Sequence, residues 1–351
     1  MSSETTPEKL PALQQAYLDA MLAGSGRAAD RVVEGALDAQ LTPQRIYLDL
    51  FQPTAYAIGR LWQRNQVSVA QEHLATAIIE RQMGELHPLF RPQRERGRTI
   101  VIGCVPDEWH RVGARMVADF FEAAGWTVHY LGAAVPTRDL VAITRETGAD
   151  LVGVSAQMLF NLPRVDELVR ALDAAGLAGI PVIAGGMPFS EQPGLAAALN
   201  VRGSGADAAA ALAVAEQVLA GPVTAHPAAP GLAAVALERL RERLVHEATA
   251  RCLAAGDSGE ALIRAGFGYT TKMLLAALTA GAPELLDGQV AWGNERQPHD
   301  GVTPAQMLAR LTHYAAALHT LMPGPEGATA AAYADRLVAL QRQAMAARLG
   351  P

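Results

Sequence analysis

The sequence is short of cysteine, of long apolar runs and of positive charge, and each shortage removes a class of function. Its 351 residues include two cysteines, Cys104 and Cys252. Two thiols, one in a predicted strand and one in a predicted helix, make no disulfide framework and are expected in a reducing cytoplasm. A formal charge of -6 and a pI near 5.9 leave no electrostatic footprint for nucleic acid, so no direct contact with DNA is expected. No stretch is apolar for long enough to span a membrane, and the polar residues 1–9 contain no signal-peptide core. Half of the residues are hydrophobic, and a chain of this length has material for two or three domains, each with its own core.

What is present is organised around Val101-Ile102-Gly103-Cys104-Val105-Pro106-Asp107-Glu108-Trp109-His110-Arg111-Val112-Gly113. Residues 99–105 are uncharged and rich in β-branched side chains, which predicts a central parallel strand covered on both faces. Such sheets bind ligands at the carboxyl ends of their strands, and His110 falls in the loop there. An imidazole in that place is a competent ligand for a transition metal, with Glu108 placed to fix its tautomer and raise its basicity. It reads equally as an ordinary polar loop histidine. Gly113 would let a bulky planar group approach where a Cβ would block it. Upstream, residues 8–92 read as four helices over 10–23, 28–39, 43–62 and 69–90. Thr42 and Ser68 serve as N-caps, and the short connections predict a small bundle.

After a predicted helix over 114–124 come Gly125-Trp126-Thr127-Val128-His129-Tyr130-Leu131-Gly132, then Leu151-Val152-Gly153-Val154-Ser155-Ala156-Gln157-Met158. Ile180-Pro181-Val182-Ile183-Ala184-Gly185-Gly186 and Gly205-Ala206-Asp207 follow. In this order the series resembles the cobalamin-binding domain of methionine synthase, corrinoid proteins and mutases. The resemblance implies a flavodoxin-like parallel-sheet domain over 97–220 with His110 as the lower axial ligand of cobalt. It further implies that Ser155, Gly185 and Gly186 line a slot for the nucleotide tail. Glu108 stands where many members have Asp, which keeps the carboxylate beside the imidazole.

Among the N-terminal helices, Trp62, Glu72 and His73 stand out. Taken alone, they are a core tryptophan at a helix end and a solvated Glu-His pair. With the sheet domain behind them, Trp-x9-Glu-His resembles the signature of the light-sensing B12 photoreceptors of the CarH type. That resemblance implies adenosylcobalamin, with the adenosyl group packed on Trp62 and held by Glu72 and His73, and the bundle acting as a cap on the upper face of the corrin. A flat side chain suits a π-rich ligand, and a carboxylate accepts from ribose hydroxyls. One position departs from the pattern. In CarH-type repressors a histidine follows the tryptophan and binds cobalt once light has expelled the adenosyl group, whereas here the residue is Gln63. His73 and a water molecule are the alternatives for that place. The repressors' helix-turn-helix is not expected in this chain.

Residues 221–231 contain Pro222, Pro227 and Pro230 and read as a hinge between domains. Beyond it, 232–351 reads as all-α, with helices over 232–255, 258–280, 283–291, 303–321 and 328–349 and breaks at Gly256, Gly281, 293–301 and 323–325. Two readings stay open. One is a dimerisation or partner-docking module, which Ala-rich amphipathic helices satisfy without a ligand. The other is a globin-like domain that, placed after a cobalamin sensor, resembles that of the photocobilins, which implies biliverdin as a second chromophore. A bilin has propionates and pyrrole nitrogens and needs cations and aromatics. Arg264, Tyr269, Lys272, Trp292, Arg296, His299 and His313 are the candidates, and Cys252 is the one candidate for a thioether bond.

The expected fold class is therefore α plus α/β: a helical cap, a flavodoxin-like cobalamin-binding domain and a C-terminal all-α domain. The expected function is non-enzymatic light sensing in the cytoplasm. The cofactor supplies the photolysis, and the cap shifts against the sheet with an output in the state of a homo-oligomer, read by a separate effector protein where there is one. The competing expectations are a corrinoid methyl carrier of a methyltransferase system and a light-independent B12 sensor or carrier.

Overall fold

The sheet forms where the chain is most apolar and β-branched. In the computed structural model, which describes residues 6–90, 94–192, 194–221 and 231–349, there are five strands: β1 (Thr99–Cys104), β2 (Thr127–Tyr130), β3 (Leu151–Ser155), β4 (Val182–Gly185) and β5 (Gly203–Ser204). All are parallel, in the order β2-β1-β3-β4-β5. Every residue of β1 after Thr99 is buried, as expected of a strand covered on both faces. Cys104 pairs with Ser155 and Ser155 with Gly185, so the carboxyl ends of β1, β3 and β4 are level. The strand order reverses between β1 and β3, the place where doubly wound sheets open a crevice for ligands.

The N-terminal helices are α1 (Thr6–Leu22), α2 (Gly26–Asp38), α3 (Pro43–Ile46), α4 (Gln52–Gln63) and α5 (Val69–Leu86). A π turn, Tyr47–Phe51, joins α3 to α4 in one rod and turns Tyr47, Leu50 and Phe51 into the core. Thr42 Oγ1 accepts from Arg45 N–H at 3.3 Å to start that rod. Ser68 and Gln71 form a reciprocal capping box at the start of α5 (3.2 and 2.8 Å). The bundle core contains Tyr17, Met21, Ile46, Ile79 and Met83, and it continues into Met116 and Phe120 of α6 (Val112–Ala123). Each such side chain contributes about 1.5–3 kcal/mol through burial, so the N-terminal helical cap and the sheet domain share one packed core.

Helices α7 (Thr137–Thr147), α8 (Leu162–Ala174), α9 (Met187–Glu191), α10 (Leu195–Ala198) and α11 (Ala208–Ala220) complete the sheet's connections. Helices α6 and α11 cover one face, where Phe121, Trp126, Ala211 and Ala215 pack with Ile100 and Ile102. The C-terminal region is mostly helical among its described residues: α12 (Leu232–Ala254), α13 (Glu260–Ala280), α14 (Asp287–Arg296), α15 (Pro304–Leu321) and α16 (Pro325–Leu349). The chain divides into two units. The first holds the N-terminal helices and the sheet, and the second holds the C-terminal helices together with Met158–Glu167 and Ala198–Asn200. Residues 222–230 of the expected hinge lie outside the described residues.

One expected break, over 293–301, begins later than the sequence suggests. Helix α14 runs through Gly293 to Arg296, and a 3-10 turn, Gln297–Asp300, carries the chain to Gly301. Gly293 is there for packing: a Cβ on it would fall 2.8 Å from Met307 Cε. The next residue, Asn294, is buried and donates to Val290 O (2.9 Å) and Gln341 Oε1 (2.7 Å), so tertiary contacts override the low helix propensity of glycine. No helix among the described residues is long and apolar enough to cross a membrane.

Candidate functional site

Beyond β1 the backbone turns from Val105 to Arg111 before α6 begins. Val105 N–H donates to Ser155 O (3.1 Å) and Ala134 N–H to Glu108 O (2.8 Å), which fastens the turn on two sides. Asp107 takes a positive φ of 66°, and Glu108 beside it is fully buried. Glu108 Oε1 accepts from His110 N–H at 3.0 Å and lies 2.6 Å from His110 Nδ1, while Oε2 accepts from Gln157 N–H at 2.8 Å. A buried carboxylate is tolerated only with such partners. The His110 side chain is 53% exposed, and its Nε2 meets no hydrogen-bond partner among the described residues. A carboxylate at Nδ1 fixes the proton there and leaves the Nε2 lone pair outward, the form a metal ligand requires. The Glu108 hydrogen bond holds the imidazole pKa above its ordinary value against the opposing effect of burial, and the charges of Glu108 and Glu72 add to the rise.

Ser155 and Gly185 sit side by side at the ends of β3 and β4. Gly186 has φ 117°, and a Cβ there would fall 2.2 Å from Ala156 O, so only glycine allows the two loops to approach this closely. Gln157 ties them together, because its Oε1 accepts from Met187 N–H at 3.1 Å while its own N–H holds Glu108. Gln157 was not singled out in the sequence, where nothing marks it. Gly113 faces open space: a Cβ there would meet nothing within 4 Å. The protein's own packing therefore does not require that glycine. Burial pushes the Cys104 thiol up to about 12, which makes it an inert core residue.

On the cap, Trp62 is half-buried at the edge of the bundle core, in the last turn of α4. Glu72 Oε2 lies 2.6 Å from Nδ1 of the exposed His73, and Oε1 accepts from Thr76 Oγ1 at 3.1 Å. The Arg111 guanidinium, next to His110, donates to Glu80 of α5 at 2.7 and 2.9 Å, which ties that helix to the loop. Trp109, next to the histidine, is 73% exposed. His87, Asp119 and Glu122 offer ligand atoms within 4.8 Å of one another. Asp119 is already taken by Arg115 (2.6 Å) and Tyr47 (2.8 Å), so this group reads as an ion-pair network.

Three of the seven bilin candidates share one aromatic group. Tyr269 stacks on Trp292 at 5.4 Å and meets Phe160 edge-on at 5.9 Å, and Lys272 Nζ lies 5.4 Å from the Phe160 ring centre. Phe160 belongs to the segment that folds with the second unit and was not anticipated. Arg264 pairs with Glu260 (3.4 Å), Arg296 pairs with Asp300 (3.1 Å), His299 is exposed, and His313 lies in α15. Cations at helical spacing on exposed faces find partners on their own helix, which the sequence pattern does not show. Cys252 is buried and free.

Residues 98–213 match the B12 binding domain family model, and residues 13–87 match a second B12 binding domain model. The chain carries B12-binding domains. The HTH-type transcriptional repressor CarH of Myxococcus xanthus is 29% identical over 184 residues, covering 52% of this chain and 58% of that protein. Dimethylamine corrinoid protein 3 of Methanosarcina acetivorans is 25% identical over 155 residues, covering 44% of this chain and 73% of that protein. The dimethylamine corrinoid protein of Methanosarcina barkeri is 26% identical over 183 residues, covering 51% and 85%. The chain thus spans less than two thirds of the CarH repressor's length. Among solved structures, the monomethylamine corrinoid protein of Methanosarcina barkeri superposes with a TM-score of 0.55 at 18% identity, over 59% of this chain and 99% of that one. That likeness is one of fold: a helical cap before a parallel sheet of Rossmann type. The residues of the site fit such a cofactor, since an outward Nε2 on a carboxylate-held imidazole is the donor a corrinoid cobalt takes.

Proposed function

We propose that the first unit holds adenosylcobalamin, with His110 beneath the cobalt and Trp62, Glu72 and His73 above it, and that the chain is a light sensor rather than an enzyme. The observation that carries this reading is the Glu108–His110 loop tied by the Arg111–Glu80 ion pair to α5, the helix that bears the Glu72–His73 pair. Similarity to the CarH repressor across both cap and sheet supports it. When bound, adenosylcobalamin supplies a cobalt-carbon bond that light cleaves. The chain's own work is to present Nε2, to keep Nδ1 protonated through Glu108, to pack Trp62 on the upper group and to offer Glu72 to ribose hydroxyls. A cap that loses its packing partner repacks, and the output is a change of oligomeric state, read by an effector protein. Biliverdin in the second unit is the further part of this proposal, and it rests on Tyr269, Lys272 and Trp292.

A second reading, a corrinoid methyl carrier, is supported about equally by the dimethylamine corrinoid proteins, and Gln63 in place of a histidine favours it. Trp62→Ala separates the two. The light-sensor reading expects the variant to lose adenosylcobalamin affinity by about tenfold while keeping methylcobalamin, because a buried aromatic contact is worth about 1.5 kcal/mol. Equal affinity changes for both, measured by absorbance titration in the dark, would favour the carrier.

A further inference from the structure

Helix α5 is held differently at its two ends. Past its C-terminal end, His87 Nε2 lies 2.7 Å from Glu122 Oε2, and nearby Tyr47 donates to Asp119 Oδ2 at 2.8 Å. Met83, Leu86 and Phe90 share a core there with Phe120 of α6. The N-terminal turns instead expose Val69 and Leu74 and carry the Glu72–His73 pair. Between the two ends, Glu80 receives both prongs of the Arg111 guanidinium, Nε at 2.7 Å and Nη2 at 2.9 Å. This is the two-pronged geometry that makes such pairs directional. Arg111 follows His110 directly, and its carbonyl accepts from Tyr130 Oη (3.3 Å) and Arg115 N–H (2.9 Å). The guanidinium therefore stands on the same fastened loop as the imidazole. Glu72, Thr76 and Glu80 recur every four residues and share one face of α5.

We infer that the Glu80–Arg111 pair is a positioning clasp: it sets the distance from the Glu72–His73 end of α5 to His110 and so selects the size of the group carried above the cobalt. The inference rests on the cobalamin reading of this site. Glu72 and Glu80 are separated by roughly 12 Å of helix, so a tilt of roughly 15° about the clasp moves Glu72 by about 3 Å, close to the thickness of an aromatic ring. Fastened, the clasp keeps the cap down on a bulky upper group. Released, it frees the cap and leaves the contact through His110 unchanged. A partly exposed pair adds little to folding stability. Its effect is one of position.

The test is a double-mutant cycle of Glu80→Gln, Arg111→Gln and the pair together. Dissociation constants for adenosylcobalamin and hydroxocobalamin are measured by absorbance in the dark, with the melting temperature beside them. Each variant is expected to bind adenosylcobalamin about fivefold more weakly than the parent, with the double variant no worse than either single one. Hydroxocobalamin affinity and melting temperature stay where they were. Equal weakening of both cobalamins, additive losses, or no loss at all would overturn the clasp and leave the cobalamin reading standing. If the unmodified chain binds neither cobalamin, both fall together.

Discussion

Glu108 has no solvent exposure and serves two backbone donors and one ring nitrogen, so its replacement leaves three polar groups facing a void. Glu108→Ala is expected to lower stability by about 2 kcal/mol, the cost of unsatisfied buried donors, in urea denaturation. It should also weaken hydroxocobalamin binding about 10- to 100-fold, the usual loss when the carboxylate behind a metal-bound histidine is removed. A variant that folds less stably but binds unchanged would show the carboxylate to be structural only. This pair was legible in the sequence because both members lie in one loop, two residues apart. Gln157 was not, since its part depends on where β3 ends beside β1, a pairing the sequence does not display. For the same reason, Gly186 could be marked as a slot residue while its close approach to Ala156 appeared only in three dimensions.

Among the elements, the helical caps were readable and the tertiary overrides were not. Thr42 and Ser68 cap where their hydroxyls precede apolar periodicity, as helix physics requires. The π turn at Tyr47–Phe51 has no sequence mark, and α14 continues past a glycine because Met307 and Gln341 pack there. A clearer consequence concerns Asp257, in the turn between α12 and α13. The Arg310 guanidinium, two-pronged at 2.7 and 3.0 Å, holds its carboxyl below the ordinary 3.8. A carboxylate lowered in the folded state adds stability that is fully present above its unfolded pKa and is lost as pH falls through the lower folded one. Asp257→Asn should therefore cost about 1.5 kcal/mol at neutral pH. The gap to the parent should begin to close as pH drops below 3.8 and vanish only below the lower folded value. A gap that stays constant into acid would mean the pair contributes by packing alone.

For the whole molecule, the fold was legible because its order of elements carries it: a helical bundle, then strand and loop histidine, then the glycine-rich strand ends, then helices. Phe160 was not, because it joins Tyr269, Lys272 and Trp292 only once its segment folds with the C-terminal helices. A sensor with a cap that repacks should change its assembly on illumination. The elution volume and scattering profile of adenosylcobalamin-loaded protein should then differ between dark and green light, and identical profiles would remove the oligomer from the proposal. The most direct test of cobalamin-based light sensing is the absorption spectrum of the chain after incubation with adenosylcobalamin in the dark and desalting, read before and after green light. Corrinoid bands that stay with the protein and change on illumination are the expected result. Bands that stay but do not respond to light would contradict the sensor and leave a carrier, and bands lost on desalting would contradict cobalamin binding at His110 altogether.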